Sequence, residues 1–354
     1  MNPSFLITLL CLLAVIMVSV YIVNNNRRKT NTNDTTSNTD KPTTYAPAPE
    51  TSAKPKPTTH KPPTHTSSED FSDRKGYDAD FIRTPTFQID LNNLLQNHAA
   101  ALAPLLSPTA TNGNLLHYHH FSIATNRERR MPLLTAVNID GKQAVDLGRD
   151  ADKWSFDPRL SIDFQTPPEV YSANDLDLGH LVRRLDPVWG DVATAANYDT
   201  FHYTVCAPQH KKLNRVTWLS LENYILSNTK NESLKVSVFT GPVFSEADIP
   251  YRGTLLPLQF WKMAAIIKHD GTPSVSAYLL SHADDISGMR DRGLIDETGF
   301  GEYKTYQIAL SRLQELTGLH LDDLLPFDPL HKQQGMRGLD VVHVEVAGAG
   351  DIVL

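Results

Sequence analysis

The chain has 354 residues and a formal net charge of −7 at pH 7, with 21% charged and 40% hydrophobic side chains. That length suits one large or two modest globular domains, and two cysteines exclude a protein built on a disulfide framework. Residues 26–65 hold seven Lys or Arg and three acids, so the rest of the chain carries −11. This balance excludes the broad basic surface that binds nucleic acid strongly. The folded part offers only local basic clusters, namely Arg127, Arg129 and Arg130, then Arg183 and Arg184, then Lys211 and Lys212.

The N-terminal residues have the pattern of a membrane segment. Residues 4–23 carry no charge over twenty positions, which is the length that spans a bilayer, and Arg27, Arg28 and Lys29 follow. A secretory signal would place positive charge before a shorter apolar run and a small-residue cleavage site after it. The pattern therefore favours a single-pass transmembrane anchor in residues 1–25, with an uncleaved signal as the alternative.

The next segment is polar and rich in proline. Residues 26–75 contain many Thr, Pro and Ser and few apolar side chains, so they cannot bury a core, and we predict a disordered linker. The positive charges behind the anchor favour a cytosolic body, whereas a Thr/Pro-rich stalk is typical of an exposed, O-glycosylated position. We expect a membrane protein whose globular domain, residues 76–354, is extracytoplasmic.

Hydrophobic patterning predicts several strands in the globular domain. The first covers residues 131–139, and the Asp-Gly pair at 140–141 predicts a hairpin turn that returns along residues 142–145. Further strands are predicted at residues 235–244, 260–268, 274–280 and 341–346.

Two further patterns flank this series of strands. Apolar residues at three- and four-residue spacing predict a helix over residues 305–316, and Gly318 closes it. On an extended segment His117 and His119 would share one face, a spacing that can hold a metal ion. No cysteine and no second cluster accompany them, so a strand-edge surface is the alternative.

The segment from residue 175 to residue 228 concentrates groups that do acid–base and metal chemistry. His180 follows a glycine, Asn214 comes 34 residues later and Glu222 another eight residues on. The pattern of residues 215–228 is helical, and Asn214 stands at its N-cap position. Eight helical residues separate two backbones by about 12 Å, but helical side chains lean toward the N-terminus. Glu222 would therefore reach an ion on Asn214 through a coordinated water, which suits Mg²⁺ because it keeps several waters.

These residue types predict a site that cleaves phosphodiesters with one bound divalent ion. His180 is the candidate general base, because an imidazole titrates near neutral pH. The ion on Asn214 would stabilise the pentacovalent phosphorane and the departing 3′-oxygen. Arg183, Arg184 or Arg149 would neutralise non-bridging phosphate oxygens. A structural histidine and a simple helix-capping asparagine are the alternatives for the two central residues.

Three short motifs carry a family resemblance. Residues 177–180 read Asp-Leu-Gly-His, residues 205–209 read Val-Cys-Ala-Pro-Gln, and residues 213–222 read Leu-Asn-Arg-Val-Thr-Trp-Leu-Ser-Leu-Glu. The segment resembles the DNA/RNA non-specific endonuclease family, the endonuclease G-like ββα-metal nucleases. That family carries Asp-Arg-Gly-His, then Asn-x-x-Pro-Gln, then Leu-Asn-x-x-x-Trp-x-x-Leu-Glu. The resemblance spans about residues 76–325, and the third motif matches in full.

The resemblance implies a fold and a set of roles. It implies an α+β fold in which helices flank a central antiparallel sheet, with a ββα-metal active-site unit from His180 to Glu222 on one face. It implies His180 as the catalytic base, Asn214 as the ligand of Mg²⁺ or Mn²⁺, and Glu222 as the catalytic carboxylate beside the ion. It also implies that Arg149, in the loop before Trp154, contacts phosphate.

Two positions depart from the family motifs. The motif arginine, which helps to bind phosphate, is Leu178 here, and the asparagine before Pro-Gln, which helps to order the site, is Val205. We expect Arg183 or Arg184 to replace the missing arginine, and we expect activity that is reduced or altered in substrate preference.

The sequence therefore predicts a metal-dependent endonuclease that hydrolyses DNA and RNA without specificity for base or sugar. Its expected partners are DNA and RNA, the membrane through residues 4–23 and, as an open alternative, a second copy of the chain. A catalytically impaired nucleic-acid-binding protein and a membrane-displayed interaction protein of the same fold are the alternatives, which Leu178 and Val205 motivate.

Overall fold

The computed structural model places its described residues in one compact unit that belongs to Pro62–Leu354. In these residues no helix is long and apolar enough to cross a membrane. The predicted anchor, residues 1–25, and most of the predicted linker lie outside them. The described residues are 70–108, 113–148, 153–174, 176–211, 213–214, 218–282, 303–331 and 343–346.

Strands dominate the described part of the chain. They are β1 Leu115–His117, β2 Phe121–Asn126, β3 Met131–Asp140, β4 Leu176–His180, β5 Cys206–His210, β6 Lys235–Val243, β7 Ile249–Tyr251, β8 Thr254–Leu256, β9 Gln259–Ile267, β10 Pro273–His282, β11 Tyr303–Ile308 and β12 His343–Glu345. Eight of them form one sheet in the order β1-β2-β3-β6-β9-β10-β11-β12. Every neighbouring pair is antiparallel, so the predicted central antiparallel sheet is confirmed.

Four α-helices are described, and the longer two lie on opposite faces of the sheet. They are α1 Leu91–Leu94, α2 Ala193–Asp199, α3 Trp218–Asn231 and α4 Leu310–Thr317. Leu313 of α4 packs on the face that carries Phe239 and Trp261. Leu226 of α3 packs on the other face, with Val238. Alternate residues of a strand point to opposite faces, so one sheet serves two hydrophobic cores and is covered by helices on both sides.

The chain before residue 76 already contacts the fold, although the sequence placed residues 70–75 in the linker. The ring of Phe71 meets Tyr118 edge-on at 6.1 Å. The Arg74 guanidinium lies 3.3 Å from the buried carboxylate of Asp199. These contacts fix the point at which the described fold begins.

The predicted strands at residues 131–139, 235–244, 260–268 and 274–280 are confirmed, but the predicted hairpin is wrong. The Asp140 carboxylate accepts hydrogen bonds from the backbone N–H groups of Lys142 and Gln143, which makes a side-chain-stabilised turn. Strand β3 pairs with β2 on one side and with β6 on the other, so residues 142–145 cannot pair with it.

The helix predicted over residues 305–316 is half strand. Residues Tyr303–Ile308 pair with β10, and only Leu310–Thr317 is helical. The spacing of four from Tyr306 to Leu310 fits a helix or a strand, so the pairing of residues 303–308 with β10 decides. Gly318 closes the helix with φ 70°, as predicted.

Candidate active site

The residues singled out in the sequence lie on a two-stranded ribbon that is followed by a helix. Strands β4 and β5 pair antiparallel with His180 opposite Cys206, and α3 comes next in the chain. A Cβ atom at Gly179 would lie 2.2 Å from Oε1 of Gln209, so any larger residue there would displace this buried side chain. The ββα arrangement that the resemblance implied is therefore present.

A third hydrophobic cluster fixes this unit to the central sheet. Leu181, Ala207 and Leu221 of the unit pack with Phe260 and Tyr278 of the sheet. These contacts place the ends of β4 and β5 and the N-terminal half of α3 over one face of the sheet. The site thus rests on rigid elements, which is what positions catalytic groups accurately.

One polar cavity of about 590 Å³ opens at this unit. The structure brings six chemically active side chains to it, namely Asp177, His180, Arg183, Arg184, Asn214 and Glu222. Trp154, Leu178, Leu185 and Leu219 supply the apolar part of its wall. Arg149, the remaining predicted site residue, lies outside the described residues.

His180 is held at the end of β4 by aromatic neighbours. Its ring centroid lies 4.9 Å from that of Trp154 and 5.7 Å from that of Phe201, which meets it edge-on. Contact with these two rings restricts the orientation of the imidazole, which lines the cavity. The sequence placed Trp154 beside Arg149 but did not identify it as a neighbour of His180.

Asn214 is oriented by the first residue of the Asp-Leu-Gly-His motif. Its Nδ2 donates a 3.0 Å hydrogen bond to Oδ2 of Asp177. Residues 213–214 form a π-helical turn, so the predicted N-cap position for Asn214 is wrong. Because the amide nitrogen is held by a carboxylate, the amide oxygen is the atom that this side chain offers to a cation.

A family model described as DNA/RNA non-specific endonuclease matches residues 99–328, more than half of the chain. The chain belongs to the DNA/RNA non-specific endonuclease family. It is also 36% identical over 297 residues to an uncharacterized protein, y4fB, of Sinorhizobium fredii, in a match that covers 78% of this chain and 44% of that protein. The chain therefore spans less than half the length of that relative.

A solved structure shows a further likeness at lower identity. It is titled as the crystal structure of the EndoG/EndoGI complex, with the mechanism of EndoG inhibition, and the TM-score is 0.45 at 17% identity. The likeness covers 58% of this chain and 84% of the other. Family membership rests on the family model, and it assigns residues 99–328 to a class of nucleases, which are phosphodiester hydrolases.

The two departures from the family motifs have different surroundings. Leu178 lines the cavity, so an apolar side chain occupies a position where the motif has a guanidinium. Val205 is fully buried with Tyr118, Phe121 and Val182 in a hydrophobic core. The missing arginine therefore changes the wall of this cavity, whereas the missing asparagine changes the packing beneath it.

Neither candidate arginine is a freely mobile cation. Arg183 donates to the backbone oxygen of Glu222 at 2.9 Å and to Oδ1 of Asn223 at 2.6 Å. Arg184 donates to Oδ1 of Asn197 at 2.9 Å and to the carbonyl of Gly148 at 3.3 Å. Arg183 thus connects the segment that follows β4 to α3. Arg184 connects the cavity wall to the backbone at Gly148, next to Arg149 in the sequence.

Glu222 lies at the floor of the cavity, among buried charges. Burial raises the pKa of its carboxyl, while the nearby charges of Lys262 and Arg183 act in the opposite direction. Asp186 lies in the same cluster, and burial raises its pKa to about 7 against the same two cations. The sequence did not identify Asp186 or Lys262. Nothing in a local motif shows which residue of a loop or of a distant strand will be buried beside Glu222.

The raised pKa of Asp186 predicts a pH dependence of stability. Its value is about 7 in the fold and 3.8 ordinarily, so between these values the folded protein binds more protons than the unfolded chain. The free energy of unfolding should therefore fall as pH rises from about 4 to 7, by at most about 4 kcal/mol for this group. Asp186→Asn should remove that decline, measured by urea unfolding at pH 5 and pH 8.

The matched control is Asp191→Asn, which changes an exposed acid five residues away. It should leave the pH dependence of the wild type unchanged. An Asp186→Asn protein that loses stability with pH as steeply as the wild type would contradict the assignment.

The metal alternative at His117 and His119 is not supported. His117 Nδ1 lies 2.8 Å from Oγ of Ser122, and His119 Nδ1 lies 2.7 Å from Oδ2 of Asp199. Within the described ranges no three His, Cys, Asp or Glu side chains are arranged to hold an ion. Both histidines make hydrogen bonds within the fold.

The basic cluster at residues 127–130 also has structural contacts. Arg129 pairs with Asp248 at 2.8 Å, and Arg130 donates to the carbonyl of Gln165 at 3.0 Å. These two guanidiniums brace loops around the sheet. Among the described arginines, those that line the cavity are Arg183 and Arg184.

Proposed function

We propose that this chain is a metal-dependent endonuclease that hydrolyses phosphodiester bonds of DNA and RNA without specificity for base or sugar. The observation that carries the proposal is that His180, Asn214 and Glu222 line one cavity on a ββα unit. An imidazole, an amide oxygen and a buried carboxylate in one cavity are the groups that hydrolysis with a single divalent ion requires.

The donor set supports Mg²⁺ or Mn²⁺. Asp177 holds the Asn214 nitrogen, which leaves a hard amide oxygen for the ion. Mg²⁺ keeps several waters and takes few protein ligands, so one amide oxygen with Glu222 as an outer carboxylate suits it. When bound, such an ion supplies charge stabilisation for the pentacovalent phosphorane and for the departing 3′-oxygen.

His180 acts as the general base in this proposal. Its imidazole takes a proton from a water as the water oxygen bonds to phosphorus and the bond from phosphorus to the 3′-oxygen breaks. The products are a 5′-phosphate and a 3′-hydroxyl, which takes its proton from solvent. Trp154 and Phe201 keep the ring in place through the step.

We expect no specificity for base or sugar, because the groups that line the cavity bind phosphate. His180, Asn214 and the two arginines recognise a phosphodiester, which DNA and RNA share, whereas sequence is read from base edges. The chain carries −7 overall, so we expect substrate binding to be weak and to weaken further as salt increases.

The two arginines should differ when replaced. Arg184 contacts loop carbonyls at 3.3 Å and is the better candidate to exchange a protein contact for phosphate. Arg184→Ala should raise KM about tenfold, a loss of about 1–2 kcal/mol, and flatten its salt dependence. Arg183→Ala should instead lower the free energy of unfolding by about 2 kcal/mol, because the Arg183 side chain connects the segment after β4 to α3.

Kinetics at several salt concentrations and urea unfolding of both variants measure this difference. Equal and negligible changes in KM for both would remove the idea that either arginine replaces the one missing at Leu178.

The experiment that tests the function uses the full chain, purified in a mild detergent. Supercoiled plasmid, single-stranded DNA and RNA of one sequence are incubated with Mg²⁺ and with EDTA. Cleavage of all three substrates that EDTA stops and added Mg²⁺ restores would support the proposal. Cleavage of one polymer only would remove the claim of non-specificity, and binding of the substrates without cleavage in Mg²⁺ would favour the impaired, nucleic-acid-binding alternative that Leu178 motivates.

The cellular setting belongs to the same proposal. We propose that residues 4–23 anchor the chain in a membrane with the nuclease domain on the extracytoplasmic side, on the support of the twenty uncharged residues and the Thr/Pro-rich segment. Protease accessibility of the domain in intact cells tests that side. Light scattering of the purified chain tests the alternative of a homodimer.

A further inference from the structure

Lys262 is a fully buried lysine in the middle of the central sheet. It is 1% exposed and lies on β9, between Thr240 of β6 and Tyr278 of β10. Its strand neighbours Trp261 and Met263 point into the core on the opposite face. A lysine is almost never fully buried without a partner, so this one needs a reason.

The ammonium group of Lys262 is directed at α3, the helix that carries Glu222. Nζ donates to Oγ1 of Thr240 at 3.0 Å and lies 3.5 Å from Oε1 of Glu222 on α3. Arg183, the other cation beside Glu222, uses its guanidinium on the backbone carbonyl of that residue and on Asn223. Of these two described cations, Lys262 is therefore the one whose charged group faces the Glu222 carboxylate.

We infer that Lys262 is a positioning residue for phosphodiester hydrolysis, holding the Glu222 carboxylate in one orientation at the floor of the cavity. The inference rests on the proposed function, in which Glu222 orients water beside the ion. It adds a residue that lies on a different element, outside the three motifs and outside the ββα unit.

The sheet is a good support for such a role. Residue 262 pairs in register with β6 on one side and β10 on the other, so the backbone under Lys262 is held by two neighbouring strands. The hydroxyl of Thr240 on β6 also holds Nζ itself. Because Lys262 is already held on the sheet, its ammonium group loses little freedom when it contacts the Glu222 carboxylate. A cation on a mobile loop would allow the carboxylate to move.

Three variants separate positioning from simple structural support. Lys262→Met keeps the length of the side chain and removes its charge, and Lys262→Arg keeps the charge. Lys268→Met is the matched control, because it makes the same change just beyond the end of the same strand at a partly exposed position. Glu222→Gln, alone and with Lys262→Met, completes a double-mutant cycle.

The readout is kcat per folded molecule of the full chain on supercoiled plasmid with Mg²⁺. Urea unfolding supplies the folded fraction of each variant. We expect Lys262→Met to lower kcat 10- to 100-fold with little change in KM, a range typical of groups that orient metal-site ligands. Lys262→Arg should recover part of the loss, and Lys268→Met should behave as the wild type.

The double variant gives the decisive comparison. If Lys262 acts through Glu222, then Lys262→Met should cost less than threefold when Glu222 is already Gln. A Lys262→Met protein that is less stable but turns over at the wild-type rate would overturn the inference, and so would losses that simply multiply in the double variant. A wild type that cuts nothing would instead mean that the proposed function itself has failed.

Discussion

Replacing His180 by alanine is expected to lower kcat by about 10³-fold or more while the protein stays folded and still binds metal. The expected size follows from the contribution of a positioned general base, roughly 10²–10⁴-fold. The ring makes aromatic contacts with Trp154 and Phe201, so some stability is lost with it, on the order of 1 kcal/mol. Kinetics on plasmid and calorimetry with Mn²⁺ measure the two properties separately.

A matched histidine controls for the lost packing. His120 stacks on Trp189 with ring centroids 3.4 Å apart, and it is not among the residues that line the cavity. His120→Ala should therefore lose stability and keep its turnover. If the His180 variant cut at the wild-type rate, or if both variants lost activity equally, the assignment of the base would be wrong.

The second large effect concerns the residues that would hold the ion. Asn214→Ala removes the only side-chain amide oxygen among the described residues that line the cavity, so kcat should fall by at least about 10²-fold in any concentration of Mg²⁺. Asp177→Asn keeps the shape but weakens the hydrogen bond that orients Asn214. It should reduce the apparent affinity for Mg²⁺ about 10- to 100-fold, and excess Mg²⁺ should restore much of the rate.

Activity measured against Mg²⁺ concentration distinguishes the two variants. Asn228→Ala is the control, since Asn228 lies on α3 and its side chain donates to the carbonyl of Tyr224, outside the cavity. A rate that rises with Mg²⁺ in the Asn214→Ala protein as it does in the wild type would show that the ion is held elsewhere.

Much of the sheet could be predicted because its central strands are locally consistent. Strands β3, β6 and β9 consist mostly of apolar residues, so their hydrophobic patterns alone marked them. The failures have one cause. At residues 140–145 and 303–308 the local pattern allowed two structures, and pairing with distant strands chose between them.

The candidate site divides in a similar way. His180, Asn214 and Glu222 could be predicted, because they stand in short motifs on the ββα unit, and the structure brings them to one cavity. Asp186 and Lys262 could not. Lys262 lies in a hydrophobic strand and contacts Glu222 only because β9 runs beneath α3, a relation that no spacing in the sequence encodes.

The arginines show a third case. Sequence proximity to His180 predicted that Arg183 and Arg184 reach the site, and both do. Their roles depend on hydrogen bonds to Asn223 and Asn197, which lie 40 and 13 residues away. The sequence could place these charges near the cavity but could not say what else they bind.

The most direct test of the central claim is metal-dependent cleavage by the wild type beside His180→Ala. Supercoiled plasmid and total RNA are incubated with each protein in Mg²⁺, in Mn²⁺ and in EDTA. We expect the wild type to cut both substrates in at least one ion and neither in EDTA, and we expect the variant to cut neither. Failure of the well-folded wild type to cut in either ion would contradict this expectation, as would undiminished cleavage by the variant.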